Sequence, residues 1–329
     1  MINHETILST LYIALNPIKE YLEGDGINEI MINPGGDVWI ERRGMIEHIG
    51  VLLNENQIKF AIYSVAKLTG KAASPGDENA LVNAAFEDFR FAGVLHPISP
   101  DGSTICIRKH QDKSQRQTFE DMIDCAMITQ SQGDFILDMF VKKHQNIIIA
   151  GITGSGKTTL LNAIAGKIPN HERVVTIEDT RELHISVANK VSLLSNELNN
   201  IHAVDLVKEA LRLRPDRILL GETRGSETFD LIRAFNSGHA GISTVHANSA
   251  VLALDAIEML YQMSLPKGAG ISSAVVRQYI AKSVNMTIYA NRRYIPQPDG
   301  TIRAVRKVEE ICVIKGLDRD GNYEVEYIK

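Results

Sequence analysis

The sequence predicts an α/β fold: a twisted, mainly parallel sheet covered on both faces by helices, preceded by a smaller mixed α+β domain. Three observations carry this expectation. From residue 146 onward, apolar runs alternate with amphipathic stretches, the pattern of buried parallel strands joined by crossover helices. The run Asn146-Ile-Ile-Ile-Ala150 leads directly into Gly151-Ile-Thr-Gly-Ser-Gly-Lys-Thr158, which reads as strand, glycine-rich turn and helix start. Before residue 109, short strand-like runs are mixed with helical periodicity in no regular order. A chain of 329 residues suffices for roughly two domains of ordinary size.

Taken in order, residues 3–23 place Ile7, Leu8, Leu11, Leu15, Ile18 and Leu22 at helical spacing, and Gly24 and Gly26 stop the pattern. Two strand-like runs follow, Glu29–Ile32 and Val38–Glu41, joined by Asn33-Pro-Gly-Gly36 in a hairpin-like turn. Trp39 reads as a partly buried strand residue, with base stacking as the alternative. Helical periodicity returns over Glu55–Leu68 and again around Asn79–Phe86. Phe89–Phe91, Gly93–Leu95 and Thr104–Arg108 complete this layer. The nearly all-polar stretch at residues 109–118 is expected to link a domain of residues 1–108 to one of residues 119–329.

Phe119 to Val141 predicts two helical pieces leading to the strand before the glycine-rich turn. Helix 157–166, strand 173–178, a strand-like run at 183–187, helix 203–212 and strand 217–221 are expected next. Helix 226–235, strand 241–246 and helix 249–263 continue the alternation. The end of the chain predicts a helix around 273–282 and hairpin-like strands at 284–292, 302–312 and 323–328. There is no internal repeat and no low-complexity tract.

Composition narrows the function classes. Apolar residues make up 44% and charged residues 23%, as in a globular protein. His4 and Glu5 stand where a secretory signal would be basic and then apolar, and no segment reaches the about 18 apolar residues needed to cross a bilayer. A cytoplasmic location is expected. The net charge of -5 argues against attraction of nucleic acid to the whole surface, while leaving room for a local basic channel. Cys106, Cys125 and Cys312 lack paired-cysteine zinc spacing and are expected to be reduced, mostly buried thiols.

The chemistry lies in the second part. Glycines spaced as in 151–158 let the backbone curl so that several N–H groups point at phosphates, and the following helix adds its positive end. Gly151, Thr153, Gly154, Ser155, Gly156, Lys157, Thr158 and Thr159 are therefore the candidate residues for binding a nucleotide triphosphate. Lys157 is expected to reach the outer phosphates and the Thr158 hydroxyl to join a Mg²⁺ shell. Hydrolysis also needs an acid at the tip of a second strand. Arg217-Ile-Leu-Leu-Gly-Glu222 supplies one, with Gly221 for close approach and Glu222 to activate the attacking water. Glu178 and Asp179, after Val174–Ile177, are candidates to complete the metal site; the alternative is pairing with Arg181 or Arg173.

His246 ends a strand on the side where α/β sheets place their ligands and is expected to sense the terminal phosphate. His239 is an equally plausible loop-end residue. Arg212, Arg214, Arg217 and Arg224 surround the glutamate strand. A guanidinium there would stabilise charge on the transferred phosphoryl group, in cis or from a neighbouring subunit, although surface pairing explains many of them.

With these residues in view, the chain resembles the traffic ATPases of type IV secretion and conjugal DNA transfer, within the superfamily that also powers type II secretion and type IV pili. The resemblance covers nearly the whole chain and rests on four ordered segments: 151–158, Thr176–Leu183, Ile218–Glu222 and Ser237–Asn248. It implies a RecA-like P-loop ATPase domain and homohexameric rings at the cytoplasmic face of the inner membrane. ATP would bind between the two domains of a subunit. By the same resemblance, Arg90 and Arg108 are expected to contact the triphosphate from the N-terminal domain, Glu178 is the acidic-box carboxylate, Glu222 the catalytic glutamate and His246 the histidine-box residue. Arg224 is implied as an arginine near a subunit boundary. The missing four-cysteine module and retraction-type C-terminus favour the conjugation or secretion branch, particularly its TrbB-like members. Pilus or type II secretion ATPases, a RecA-like nucleic-acid translocase and a nucleotide-gated assembly protein are the alternatives.

Overall fold

The computed structural model describes residues 4–42, 44–86, 89–109, 117–196, 200–266, 270–296 and 302–328. The chain divides into two compact units, Met1–Gln115 with Ile295–Ala304, and Arg116–Tyr294 with Val305–Lys329. Most of the expected linker, residues 110–116, lies outside the described residues.

The first unit starts with helices α1 (His4–Ala14) and α2 (Lys19–Glu23). The single helical stretch expected over 3–23 is interrupted by a 3₁₀ turn at Asn16–Ile18, because Pro17 has no N–H to continue the ladder. Strands β1 (Ile27–Ile32), β2 (Asp37–Arg42) and β3 (Met45–Val51) follow, then helix α3 (Glu55–Leu68) and strands β4 (Leu81–Phe86), β5 (Phe89–Val94) and β6 (Thr104–Lys109). The sheet order is β3-β2-β1-β6-β5-β4. Alternation sorts its faces: Ile30, Ile32, Val38 and Ile40 are fully buried, while Trp39 between them is half-buried on the other face. There its Nε1–H donates to Asp37 at 2.7 Å. Helix α3 begins with a reciprocal cap between Asn54 and Gln57 and covers the buried face with Ile58, Ile62 and Val65.

One expectation fails here, and one element is additional to those expected. The helix predicted around Asn79–Phe86 is instead a 3₁₀ turn, Glu78–Ala80, followed by β4. Every residue of β4 pairs with β5, and Val82 is buried between exposed Leu81 and Asn83, so the period is two. Strand β3 was not anticipated. It lies at the sheet edge and its described residues are half-buried or exposed, so it carries no apolar run.

The second unit opens with α4 (Phe119–Asp124) and α5 (Gln130–Leu137). Strand β7 (Ile147–Ala150) and helix α6 (Lys157–Ala165) come next, followed by β8 (Val174–Glu178) and β9 (Lys190–Leu194). Helix α7 (Ala203–Ala210), strand β10 (Arg217–Leu220), helix α8 (Thr228–Asn236) and strand β11 (Ala240–Val245) continue the alternation. Helices α9 (Leu252–Ser264) and α10 (Ser273–Ser283) precede β12 (Met286–Pro296), β13 (Ile302–Leu317) and β14 (Tyr323–Tyr327). The sheet order is β14-β13-β12-β7-β11-β10-β8-β9, and every pairing from β12 to β9 is parallel. Ile147 and Ile149 face one apolar cluster with α6, whereas Ile148 and Ala150 face another with α8, α9 and α10. A strand buried on both faces must read as a continuous apolar run, and β7 does.

The strand-like run at 183–187 is not a strand. Leu183, Ile185 and Val187 are buried as if in one, but the strand that joins β8 is the half-exposed β9. The final strands also hold more than a hairpin, since β12 lies in register beside β7. Cys125 is exposed rather than buried. Burial pushes the Cys106 thiol up to about 12 and the Cys312 thiol up to about 11, which makes both poor nucleophiles.

Candidate active site

Strand order fixes what can meet. Strand β11 lies between β7 and β10, all three run parallel, and Val245 pairs with Ala150 at their C-terminal ends. The residues that follow these strands therefore emerge at one end of the sheet, where α/β folds bind their ligands. After β7 the chain turns tightly. A Cβ on Gly151 would stand 2.3 Å from the Ala290 carbonyl oxygen, so only glycine fits. Gly154 and Gly156 have φ of 73° and 93°, and Gly156 caps α6.

Lys157, the first residue of α6, is buried, and its Nζ donates to the carbonyls of Gly151 at 2.8 Å and Ile152 at 3.1 Å. Ser155 is fully buried, and its Oγ has no hydrogen-bond partner. Thr153 is exposed, while Thr158 and Thr159 are half-buried in the first turn of α6.

At the tip of β10, both Glu222 oxygens are engaged. His246 Nε2 lies 2.8 Å from Oε1, and Arg224 holds Oε2 through Nε at 2.7 Å and through Nη2. Arg224 Nη1 also donates to Asp179 at 2.9 Å, and Asp179 accepts from the Ser195 hydroxyl at 2.8 Å. Burial holds the His246 imidazole below its usual range, and the charge of Lys157 adds to this, outweighing the opposing pull of Glu222. A neutral ring then donates Nε2–H to the carboxylate. The Thr244 hydroxyl donates to the Gly221 carbonyl at 2.8 Å, tying the β10 tip to β11.

Glu178 ends β8 in a different environment. Its Oε1 accepts from the backbone N–H of Glu182 at 2.8 Å and Leu183 at 2.6 Å, while Oε2 is buried with no partner. Burial outweighs these two donors and pushes the carboxyl up to about 7. Unfolded, it ionises near its ordinary 4.5. The folded protein binds the extra proton in between, so stability falls as pH rises from 4.5 through about 7 and then levels. In melts without nucleotide or Mg²⁺, Glu178→Gln is expected to remove this decline; a parallel pH profile for both proteins would contradict it.

The second unit's other candidates lie away from the β10 tip. Arg217 is fully buried at the start of β10, bound to Glu172 and to the carbonyls of Phe140 and Val141, which makes it a core pairing. Arg212 pairs with Glu209 and Arg214 with Asp216. His239 precedes β11, at the end of the sheet remote from Glu222, and contacts Ser237. Arg90 and Arg108 belong to the first unit, where they face each other across β5 and β6. Arg292 and Arg306 pack against the glycine turn and were missed from sequence, because no motif marks them on β12 and β13.

A family described as "Type II/IV secretion system protein" matches residues 14–292. The conjugal transfer protein TrbB of Rhizobium radiobacter is 31% identical over 93% of this chain and 89% of its own. The type IV secretion system protein PtlH of Bordetella pertussis is 31% identical over 85% of this chain and 89% of its own. Among solved structures, the pilus retraction motor PilT with bound ADP aligns with a TM-score of 0.60 at 21% identity, over 94% of this chain and 84% of that one. The Legionella pneumophila ATPase DotB aligns with a TM-score of 0.55 at 18% identity, over 95% of this chain and 82% of that one, and both likenesses speak to fold. Kinship with these proteins makes the chain an ATP-hydrolysing motor of secretion or pilus systems. The chain belongs to the type II/IV secretion ATPase superfamily and is related to its TrbB, VirB11 and PtlH members.

Proposed function

We propose that this chain is the RecA-like P-loop ATPase that drives a type IV secretion or conjugal DNA-transfer apparatus. In this reading it works as a homohexamer on the cytoplasmic side of the inner membrane, docked on membrane components of that apparatus. The observation that carries the reading is the convergence of Lys157 and Glu222 at one end of the parallel sheet, with His246 hydrogen-bonded to one and within electrostatic reach of the other. The kinship with proteins of conjugal transfer and type IV secretion supplies the choice of machine. Among the described residues, no helix is long and apolar enough to cross a membrane.

In the proposed cycle, the loop N–H groups, Lys157 and the α6 terminus bind the phosphates of ATP, while Glu222 orients and deprotonates the attacking water. Beside His246, Glu222 Oε1 keeps a lone pair for the attacking water. Arg224, on Oε2, would meet charge on the departing phosphate by exchanging that carboxylate for a phosphate oxygen. Arg90 and Arg108 are assigned to the triphosphate on the family resemblance alone.

The residues fit a Mg²⁺ ion. Among the described residues no three acidic, histidine or cysteine side chains are placed to hold a metal between them, so phosphate and water would supply most of its ligands. Thr158 would bind it directly. The partnerless Oε2 of Glu178 would accept from its water shell, with Asp179 beside it. Bound there, the ion would neutralise charge between the outer phosphates.

A phosphate-release assay on the purified protein tests the reading. Turnover that requires Mg²⁺, together with six-fold rings in electron micrographs with a non-hydrolysable ATP analogue, is expected. Absence of turnover would favour a nucleotide-gated assembly protein. Strong DNA stimulation that falls with salt would favour a nucleic-acid translocase.

A further inference from the structure

The middle of the glycine turn is gripped by a strand about 150 residues away in sequence, an arrangement the catalytic reading does not use. Arg306 on β13 donates its Nε–H to the Gly154 carbonyl at 2.8 Å. Its stem runs on beneath Gly156, where an added Cβ would stand 3.4 Å from Arg306 Cδ. Met127 closes the same space, with its Cε 3.1 Å from that position. The Met127 carbonyl in turn accepts from Val308 N–H at 2.8 Å. One strand thus holds the turn through Arg306 and the turn's buttress through Val308. From β12, the guanidinium of Arg292 lies over Gly154, 2.7 Å from where a Cβ would stand, and packs on the Tyr294 ring with its carbon 5.2 Å from the centroid.

Peptide planarity gives this grip its consequence. The Gly154 carbonyl and the Ser155 N–H lie on opposite edges of one rigid plane. Arg306 holds the first edge, and the second donates to the Ile152 carbonyl at 3.2 Å. A rotation of that plane would redirect the N–H groups that make the turn a phosphate cradle.

We propose that Arg306 is a positioning residue for nucleotide binding, fixing the Gly154–Ser155 peptide plane from strand β13 and so preshaping the turn. This rests on the reading of 151–158 as a nucleotide site. Because the cradle serves the inner phosphates, its loss should weaken ADP and ATP alike while leaving the chemical step in place.

The test is titration of fluorescent ADP and a non-hydrolysable ATP analogue into Arg306→Met, which keeps the stem and removes the donor. Turnover is measured in parallel. Loss of a charge-assisted hydrogen bond should raise both Kd values about tenfold and raise KM with them, with kcat within about threefold of the parent. Arg306→Lys, which restores a cationic donor, should recover part of the affinity. Unchanged Kd values beside a binding parent would overturn the role of Arg306 alone. So would a lowered melting temperature with unaltered affinity in the folded protein. A parent that binds neither nucleotide would overturn the nucleotide-site reading itself.

Discussion

Lys157→Ala is expected to reduce ATP turnover by at least about 10²–10³-fold, the usual effect of removing one preorganised donor from a charge-developing site. The ammonium already sits inside the glycine turn, on the carbonyls of Gly151 and Ile152, so it needs only to exchange those acceptors for phosphate oxygens. Both nucleotide affinity and kcat should fall, because the proposed role of the lysine is to contact phosphate before and during the reaction. That pattern separates it from Arg306→Met, where kcat is kept. A phosphate-release assay across ATP concentrations checks the prediction, with the melting temperature measured alongside because Lys157 is buried. Turnover within tenfold of the parent would remove Lys157 from the chemistry.

Glu222→Gln is expected to bind ATP with near-parental affinity and to turn it over about 10²–10⁴-fold more slowly, the range associated with a positioned general base. The amide has almost the same shape, and its carbonyl oxygen can still accept from His246 or Arg224. It cannot accept a proton from water. The variant should therefore stall with ATP bound, detectable as unhydrolysed nucleotide retained after gel filtration. Normal turnover would mean that another group, with Glu178 first in line, activates the water.

The fold was legible wherever burial imposed a period. Strand β7 and its neighbours read as apolar runs because both their faces are covered, and α3 announced itself through the helical period over Glu55–Leu68. The failures share a cause. Residues 81–86 are small and apolar enough to suit either period, and the partner that makes them a strand, β5, can be recognised only by pairing. The 183–187 run buries alternate residues against α6 without joining the sheet, so its pattern imitates a strand. Edge strands β3 and β9 lack the signal altogether, since solvent covers what a core would otherwise select.

Of the candidate site, the residues carried by contiguous motifs were legible: the glycine turn, Glu222, Glu178 and His246. What sequence could not show was their pairing. That Arg224 bridges Glu222 to Asp179, or that Arg306 reaches Gly154, depends on strands distant along the chain. Arg217 illustrates the converse, an arginine at the start of β10 that proves to be a buried partner of Glu172.

The central claim is that Lys157 and Glu222 act on one terminal phosphate. An experimental structure with Mg²⁺ and a non-hydrolysable ATP analogue tests it most directly. The account predicts Lys157 Nζ at about 3 Å from a terminal phosphate oxygen and the Glu222 carboxylate one water away from the same phosphorus. A bound triphosphate that leaves Glu222 paired with Arg224 and turned from the terminal phosphate would contradict it.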